Sequence, residues 1–342
     1  MFETFGKKPA GERLKRIEQS VNYKNGSFQN IEPTKMLVNT SWYKMIKDLF
    51  NKPKTVSPAQ PLPNLQTDLH QLQYDKPVVI WFGHSSYLIN YNGFTILVDP
   101  VFSGNASPFS FMVKAFKGAN NFTVADLPAI DVLLLTHDHY DHLDHRTIKQ
   151  LSHKTKQIIT SLGVGSHLEY WGIPKEKITE LDWWDTTTIN ADVAFTAAPA
   201  RHFSGRGLTR GKTLWSSFIL ELFGYRLFLG GDSGYDKQFE LIGKKFGGFD
   251  LALLETGQYN AGWPLIHMMP EQSVQAAKDL NAKVLLPVHW GKFALAYHPW
   301  NEPPKRVTAA AENLHQQIVI PMIGQPYIIG EPFEQRTWWN VE

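Results

Sequence analysis

From Pro77 onward, short apolar runs alternate with breaks rich in Gly, Asn, Asp and Pro, which is the pattern of β-strands separated by turns. Runs at 78–82, 86–91 and 94–98 come first, and Asn92-Gly93 between the last two predicts a tight hairpin. The run 132–135 predicts a buried strand. Further strands are predicted at 157–160, 193–198, 217–222, 226–229, 251–254 and 283–287. Helices are predicted after Asp144, over 271–280 and over 305–315. Strand–loop–helix units mixed with hairpins predict a layered α/β domain over 76–342.

Residues 1–75 read as an extension ahead of that domain. Pro53, Pro58, Pro61 and Pro63 predict an extended connector. Before it, Trp42, Met45, Ile46 and Leu49 fall on one face of a short amphipathic helix. Such a stripe either packs on its own protein or docks on a membrane. Residues 1–54 hold eleven Lys/Arg against five Asp/Glu, a bias that suits an anionic surface or an ordinary solvated face. The whole chain carries only +2, which weighs against nucleic acid as a partner. With 342 residues and 43% hydrophobic side chains, a sizeable core is expected. No cysteine is present, so disulfides and thiolate metal ligands are excluded. No leader-like or membrane-spanning apolar stretch is visible, so the expected location is cytoplasmic, with peripheral membrane contact open.

The chemistry concentrates in Thr136-His137-Asp138-His139-Tyr140-Asp141-His142, directly after an apolar strand. Three imidazoles and two carboxylates in six residues suit zinc, iron or manganese. Alternating positions aim His137 and His139 at one point, while Asp141 and His142 turn toward a second. Three later ligand-type residues each end an apolar run: His202, Asp232 and His289.

The His-x-His-x-Asp-His loop resembles the signature of metallo-β-lactamase-fold hydrolases, an αββα sandwich with metals at one edge of its sheets. The resemblance implies two divalent metal ions, zinc before iron or manganese. One would be held by His137, His139 and His202, the other by Asp141, His142 and His289, with Asp232 between them. His139 stands where redox enzymes of this fold carry Glu, which favours hydrolysis. The chain further resembles the N-acylphosphatidylethanolamine-hydrolysing phospholipase D group. The matching stretches are Gly11 to Ile17, Phe28 to Thr34, Trp81-Phe82-Gly83-His84-Ser85, Gly231-Asp232-Ser233-Gly234-Tyr235 and His289 to Ala296. Ile266, where animal members carry Gln, and Gln258-Tyr259-Asn260 with Trp263 look bacterial.

That resemblance implies a two-metal phosphodiesterase releasing an N-acylethanolamine and phosphatidic acid. Asp141 and Asp232 would serve the reaction, and His267 would protonate the leaving alkoxide. Tyr140, Arg206 and Tyr259 are expected to bind substrate, and His84 to brace the metal loop. The rivals are a sugar-phosphate lactonase, a nucleotide phosphodiesterase, or a metal-containing lipid-binding protein without catalysis.

Overall fold

Asn92 and Gly93 take φ of 50° and 74°, the left-handed pair that a two-residue hairpin requires, and Tyr91 pairs with Phe94 across it. This is a computed structural model, and it describes residues 2–38, 40, 41, 43, 47 and 51–340. The predicted Trp42–Leu49 stripe lies outside the described residues.

The amino-terminal segment forms helix α1 (Gly11–Gln19) and the hairpin β1 (Tyr23–Lys24) with β2 (Ser27–Phe28). The first large sheet follows. It contains β3 (Val78–Trp81), β4 (Tyr87–Tyr91), β5 (Phe94–Val98), β6 (Ile130–Leu135), β7 (Thr155–Ser161) and β8 (Ile178–Leu181). The second holds β9 (Thr186–Asn190), β10 (Val193–Pro199), β11 (Ser216–Leu222), β12 (Tyr225–Leu229), β13 (Phe249–Glu255), β14 (Ala282–Val288) and β15 (Gln317–Ile318). Finally β16 (Pro326–Ile328) returns to the first sheet beside β3. The helices of this part are α2 (His145–Leu151), α3 (Gly165–Tyr170), α4 (Gln238–Phe246), α5 (Pro270–Asp279) and α6 (Glu302–Asn313).

One continuous core takes side chains from both sheets, among them Val132, Ile158, Phe218 and Leu253, so the sheets pack face to face. Strand directions then decide where function sits. The pair β10–β11 is antiparallel, β11–β12 is antiparallel, and β12–β13–β14 is parallel. Strands β10, β12, β13 and β14 therefore share one direction, and their carboxyl ends meet at one edge. The end of β6 reaches that edge from the other sheet. Ser216 N–H and Ser161 Oγ both donate to the Thr136 carbonyl, at 3.1 and 2.6 Å.

Every predicted strand and helix among the described residues is present, with ends shifted by a few residues. The sequence reading did not predict α1, α3, α4, β1, β2, β8, β9, β15 or β16. Strand β9, Thr-Thr-Thr-Ile-Asn, has no apolar run because it is an edge strand with much of its surface in solvent. Helix α4 carries Gly243, a poor helix former, because a Cβ there would lie 2.2 Å from the Asp279 carbonyl oxygen of α5.

Candidate metal centre and substrate cavity

The metal loop is shaped by a residue that precedes it by almost forty positions. Asp99, just beyond β5, accepts Thr136 N–H at 2.8 Å, Thr136 Oγ1 at 2.6 Å and His142 Nδ1 at 2.8 Å. The loop then closes a turn, with His142 N–H and Leu143 N–H donating to the His139 carbonyl at 3.1 and 2.8 Å. Asp144 ends it as the N-cap of α2, accepting from Arg146 N–H.

The outward ring nitrogens are selected by these partners. His137 Nδ1 lies 3.0 Å from Thr136 Oγ1, and His202 Nδ1 lies 2.8 Å from the Ile266 carbonyl. Each leaves Nε2 turned inward. His137 Nε2 stands 2.9 Å from His139 Nδ1, and His202 Nε2 stands 3.2 Å from the same atom. Asp232 Oδ2 completes the group at 3.9 Å from His137 and 3.6 Å from His202. Tetrahedral ligands around zinc sit roughly 3.3 Å from one another, so these spacings fit a cation.

A second group gathers His84, Asp141, His142 and His289, with one ligand atom from each all within 4.8 Å of one another. His142 Nε2 is 3.5 Å from Asp141 Oδ2 and 3.1 Å from Asp232 Oδ1. Yet His142 Nε2, Asp232 Oδ1 and His289 Nε2 are buried without hydrogen-bond partners. Unpaired buried polar atoms are costly, and their convergence is what a bound cation satisfies. Burial holds His137, His202 and His289 well below the usual histidine range, hence in the neutral form a metal needs. For Asp232 burial works the other way, but the neighbouring His142 outweighs it and keeps the group a carboxylate.

His84 Nε2 contacts Asp141 Oδ2 at 2.8 Å. His84 and His289 both occupy the left-handed backbone region, with φ of 54° and 67°. Two crossed bonds hold that strain: His84 N–H to the Trp290 carbonyl at 2.7 Å, and His289 N–H to the His84 carbonyl at 2.9 Å.

The structure thus brings all seven expected ligands to one place. It does not do so for the expected substrate residues. Arg206 is buried beside the metal loop, donating to the carbonyls of Asp138 and Leu143 at 2.7 Å and of Thr4 at 2.8 Å. Its guanidinium is used to hold backbone and is not presented to a phosphate. Tyr140 donates to the Arg206 carbonyl at 2.5 Å, with its ring 4.1 Å from the guanidinium, so it belongs to the same brace. Tyr259 turns away as well, donating to Glu302 at 2.6 Å and stacking on His298. Its chain neighbour Gln258 faces the cavity instead.

That cavity, about 250 Å³, opens on the metal groups and is walled by Met36, Leu37, Phe203, Trp263, Ile266 and Leu295. Arg210 and His267 also line it. Ile266 and Trp263, two of the places that departed from the animal pattern, are therefore wall residues. A larger polar groove lies at the far end of the second sheet, around Asp192 and Lys283, away from the ligands.

Three functional residues escaped the sequence reading. Asp99 sets the metal loop. Asp138, inside the motif, accepts from Gly205 N–H at 2.7 Å and Thr213 Oγ1 at 2.9 Å, and its Oδ2 is 3.2 Å from His167 Nε2. Glu255 ends β13 and meets His267 Nδ1 at 2.6 Å. Burial raises Glu255 to about 7. Burial opposes charge on His267 too, but the Glu255 carboxylate overrides it and lifts the imidazole to about 9. An acidic residue closing an apolar strand was the available signal, the same one that singled out Asp232.

Residues 95–290 match the family model described as a beta-lactamase superfamily domain. The chain belongs to that family. This superfamily member is a metal-dependent hydrolase of the metallo-β-lactamase fold, related to the N-acylphosphatidylethanolamine-hydrolysing phospholipases D. It is 39% identical over 330 residues to an uncharacterized protein of Mycobacterium tuberculosis, covering 95% of this chain and 88% of that one. It is 36% identical over 247 residues to the mitochondrial N-acyl-phosphatidylethanolamine-hydrolyzing phospholipase D of Saccharomyces cerevisiae. That match covers 68% of this chain and 51% of the yeast protein, so the superfamily member spans about half its relative's length. Among solved structures, the metallo hydrolase Igni18 of Ignicoccus hospitalis shares the fold at a TM-score of 0.57 and 18% identity, covering 76% of this chain and all of that one. No helix among the described residues is long and apolar enough to cross a membrane.

Proposed function

We propose that this hydrolase is a phosphodiesterase of phospholipase D type, cleaving N-acylphosphatidylethanolamine-like lipids to an N-acylethanolamine and phosphatidic acid. The observation that carries the reading is the join between the polar ligand groups and an apolar-walled cavity. Met36, Leu37, Phe203, Trp263 and Leu295 suit acyl chain, while Arg210, on the same wall, suits the phosphate. The related yeast and nematode enzymes are named for that lipid.

In this reading residues 76–342 form the hydrolase unit, and residues 1–75 are an extension that supplies part of the cavity wall. His137, His139 and His202 would hold one divalent cation, and Asp141, His142 and His289 a second, with Asp232 available to both. Zinc suits the imidazole and carboxylate donors. Such cations, when bound, neutralise phosphoryl charge and activate water. The chain's own groups do the rest. Asp232 positions the attacking water, Asp141 keeps His142 and His84 in register, and the cavity wall excludes bulk solvent. His267, at the wall, gives a proton to the leaving alkoxide.

The test is turnover of a panel on metal-loaded protein: N-acylated phosphatidylethanolamine, plain phosphatidylethanolamine, a phosphorylated lactone and a cyclic nucleotide. Preference for the first is expected, and chelation or D232N should each lower it by about two orders of magnitude or more. Preference for the lactone or the nucleotide replaces the lipid reading. Undiminished cleavage after both treatments overturns the metal mechanism, and no turnover of any substrate leaves a non-catalytic lipid binder.

A further inference from the structure

Glu255 is buried at the end of β13, where its carboxylate accepts from N–H donors and lies within 4.8 Å of ligand atoms of Asp232 and His289. Oε1 accepts the Ser233 N–H at 2.8 Å and the Met268 N–H at 3.2 Å. Oε2 lies 2.6 Å from His267 Nδ1. Ser233 directly follows Asp232, and Met268 directly follows His267. One carboxylate therefore joins the loop that carries Asp232 to the loop that carries the cavity histidine. The backbone of Glu255 is anchored in turn by Ser273 Oγ, which donates to its carbonyl at 2.6 Å.

Hydrogen-bond chemistry limits what can stand at this position. Two backbone donors point at one oxygen, so that oxygen must accept. When Glu255 is ionised its other oxygen also accepts, and this requires a proton on His267 Nδ1. The ring's remaining nitrogen, Nε2, is then the one available to a molecule in the cavity that His267 lines. The ring is also fixed in its plane, lying against His289 at a centroid separation of 5.3 Å and 16° between planes.

We infer that Glu255 is the positioning residue of this site: it holds His267 with Nδ1–H inward and Nε2 toward the substrate, in register with Asp232. The inference rests on the reading of His267 as the group that serves the leaving alkoxide. Glutamine is nearly the same shape but cannot do this. With its carbonyl kept on the two backbone donors, its amide would face Nδ1 and force that nitrogen to accept. The imidazole would then carry its proton on Nε2.

The test has two readouts. In ¹⁵N-histidine-labelled full-length protein, with His267 assigned by its loss in H267A, the wild-type ring should be protonated at Nδ1. E255Q should move the neutral ring to the Nε2–H form. A wild-type Nδ1 without a proton, or an identical His267 spectrum in E255Q, overturns the inference. The second readout uses bis(4-nitrophenyl) phosphate, a generic phosphodiester. E255Q should lower kcat by about 10–100-fold with little change in KM, and should add little further loss in an H267A background. Losses that multiply in full would show that Glu255 acts apart from His267, against the proposal. A wild type inert to every phosphodiester would sink the phospholipase reading, and the ring-proton measurement would still decide the role of Glu255.

Discussion

Lys292 has no exposed surface, and its Nζ donates to the Phe82 carbonyl at 3.2 Å above the rings of Phe102 and Phe293. Burial lowers its pKa to about 7. In the unfolded chain a lysine titrates near ~10.4. Between those values the unfolded chain binds a proton that the folded chain does not, so stability rises with pH across that window. Below pH 7 both states are charged and the full cost of burying the ammonium is felt. K292M should therefore be more stable than the wild type at pH 6, by about a few kcal/mol less the lost hydrogen bond. The advantage should disappear near pH 10.5. Urea melts at the two pH values check this, and an equal difference at both would refute it. Sequence alone placed a lysine after Trp290-Gly291 but carried no sign of its burial. Nor did it show that Arg206 points at backbone carbonyls. A long cationic side chain reads as solvent-facing until its surroundings are known.

The secondary-structure elements differ in how much their connections tolerate. Gly93, in the β4–β5 hairpin, has φ of 74° and open space where a Cβ would go. G93A should cost about 1 kcal/mol of stability through backbone strain alone, with metal content unchanged. Gly231, just before Asp232 in the loop after β12, is different. A Cβ there would lie 2.7 Å from the Ser216 carbonyl oxygen and 3.0 Å from Thr136 Cβ. G231A must push the loop away from both sheets and take Asp232 with it. Metal analysis by mass spectrometry should show a clear drop in bound cation, with activity falling in parallel. A variant that keeps its full metal complement would contradict this role for the loop. Elements with a strong periodic signal, such as β6 and α5, were legible from residue order, whereas β9 and α4 were not. An edge strand whose inner face is only half-buried, as at Thr187 and Ile189, prints a weak apolar pattern. A helix packed backbone to backbone uses glycine where propensity asks for alanine.

Over the molecule as a whole, the amino-terminal segment is fastened to the layered domain by contacts spread along its length. Arg13 pairs with Glu169 at 2.9 Å and Glu180 at 2.7 Å, and Ile17 packs with Trp183, Leu214 and Trp215 in a satellite core. Asn30 Oδ1 accepts the His202 N–H at 3.0 Å, and Asn30 Nδ2 donates to the His202 carbonyl at 2.8 Å. The segment thus touches His202 and, through Met36 and Leu37, the cavity wall. R13A should lower stability by about 2 kcal/mol, since partly buried charged hydrogen bonds are lost. Limited proteolysis should then cut within residues 1–38 before the sheets are attacked. Simultaneous digestion of both parts would show that the segment is not separately fastened.

Residue order was enough to single out seven ligand-type side chains, four in the loop after one apolar strand and one after each of three others, because strand ends build sites. It was enough, too, for the layered α/β class, since alternation and turn chemistry are local properties. The division of labour around the site was decided only in three dimensions. Asp99, Glu255 and Met36 reach it from separate parts of the chain, and Arg206 and Tyr259 leave it despite lying close in sequence to its residues. Which way a side chain points at the end of a strand depends on the crossing of two sheets, a non-local quantity that no run of neighbouring residues encodes.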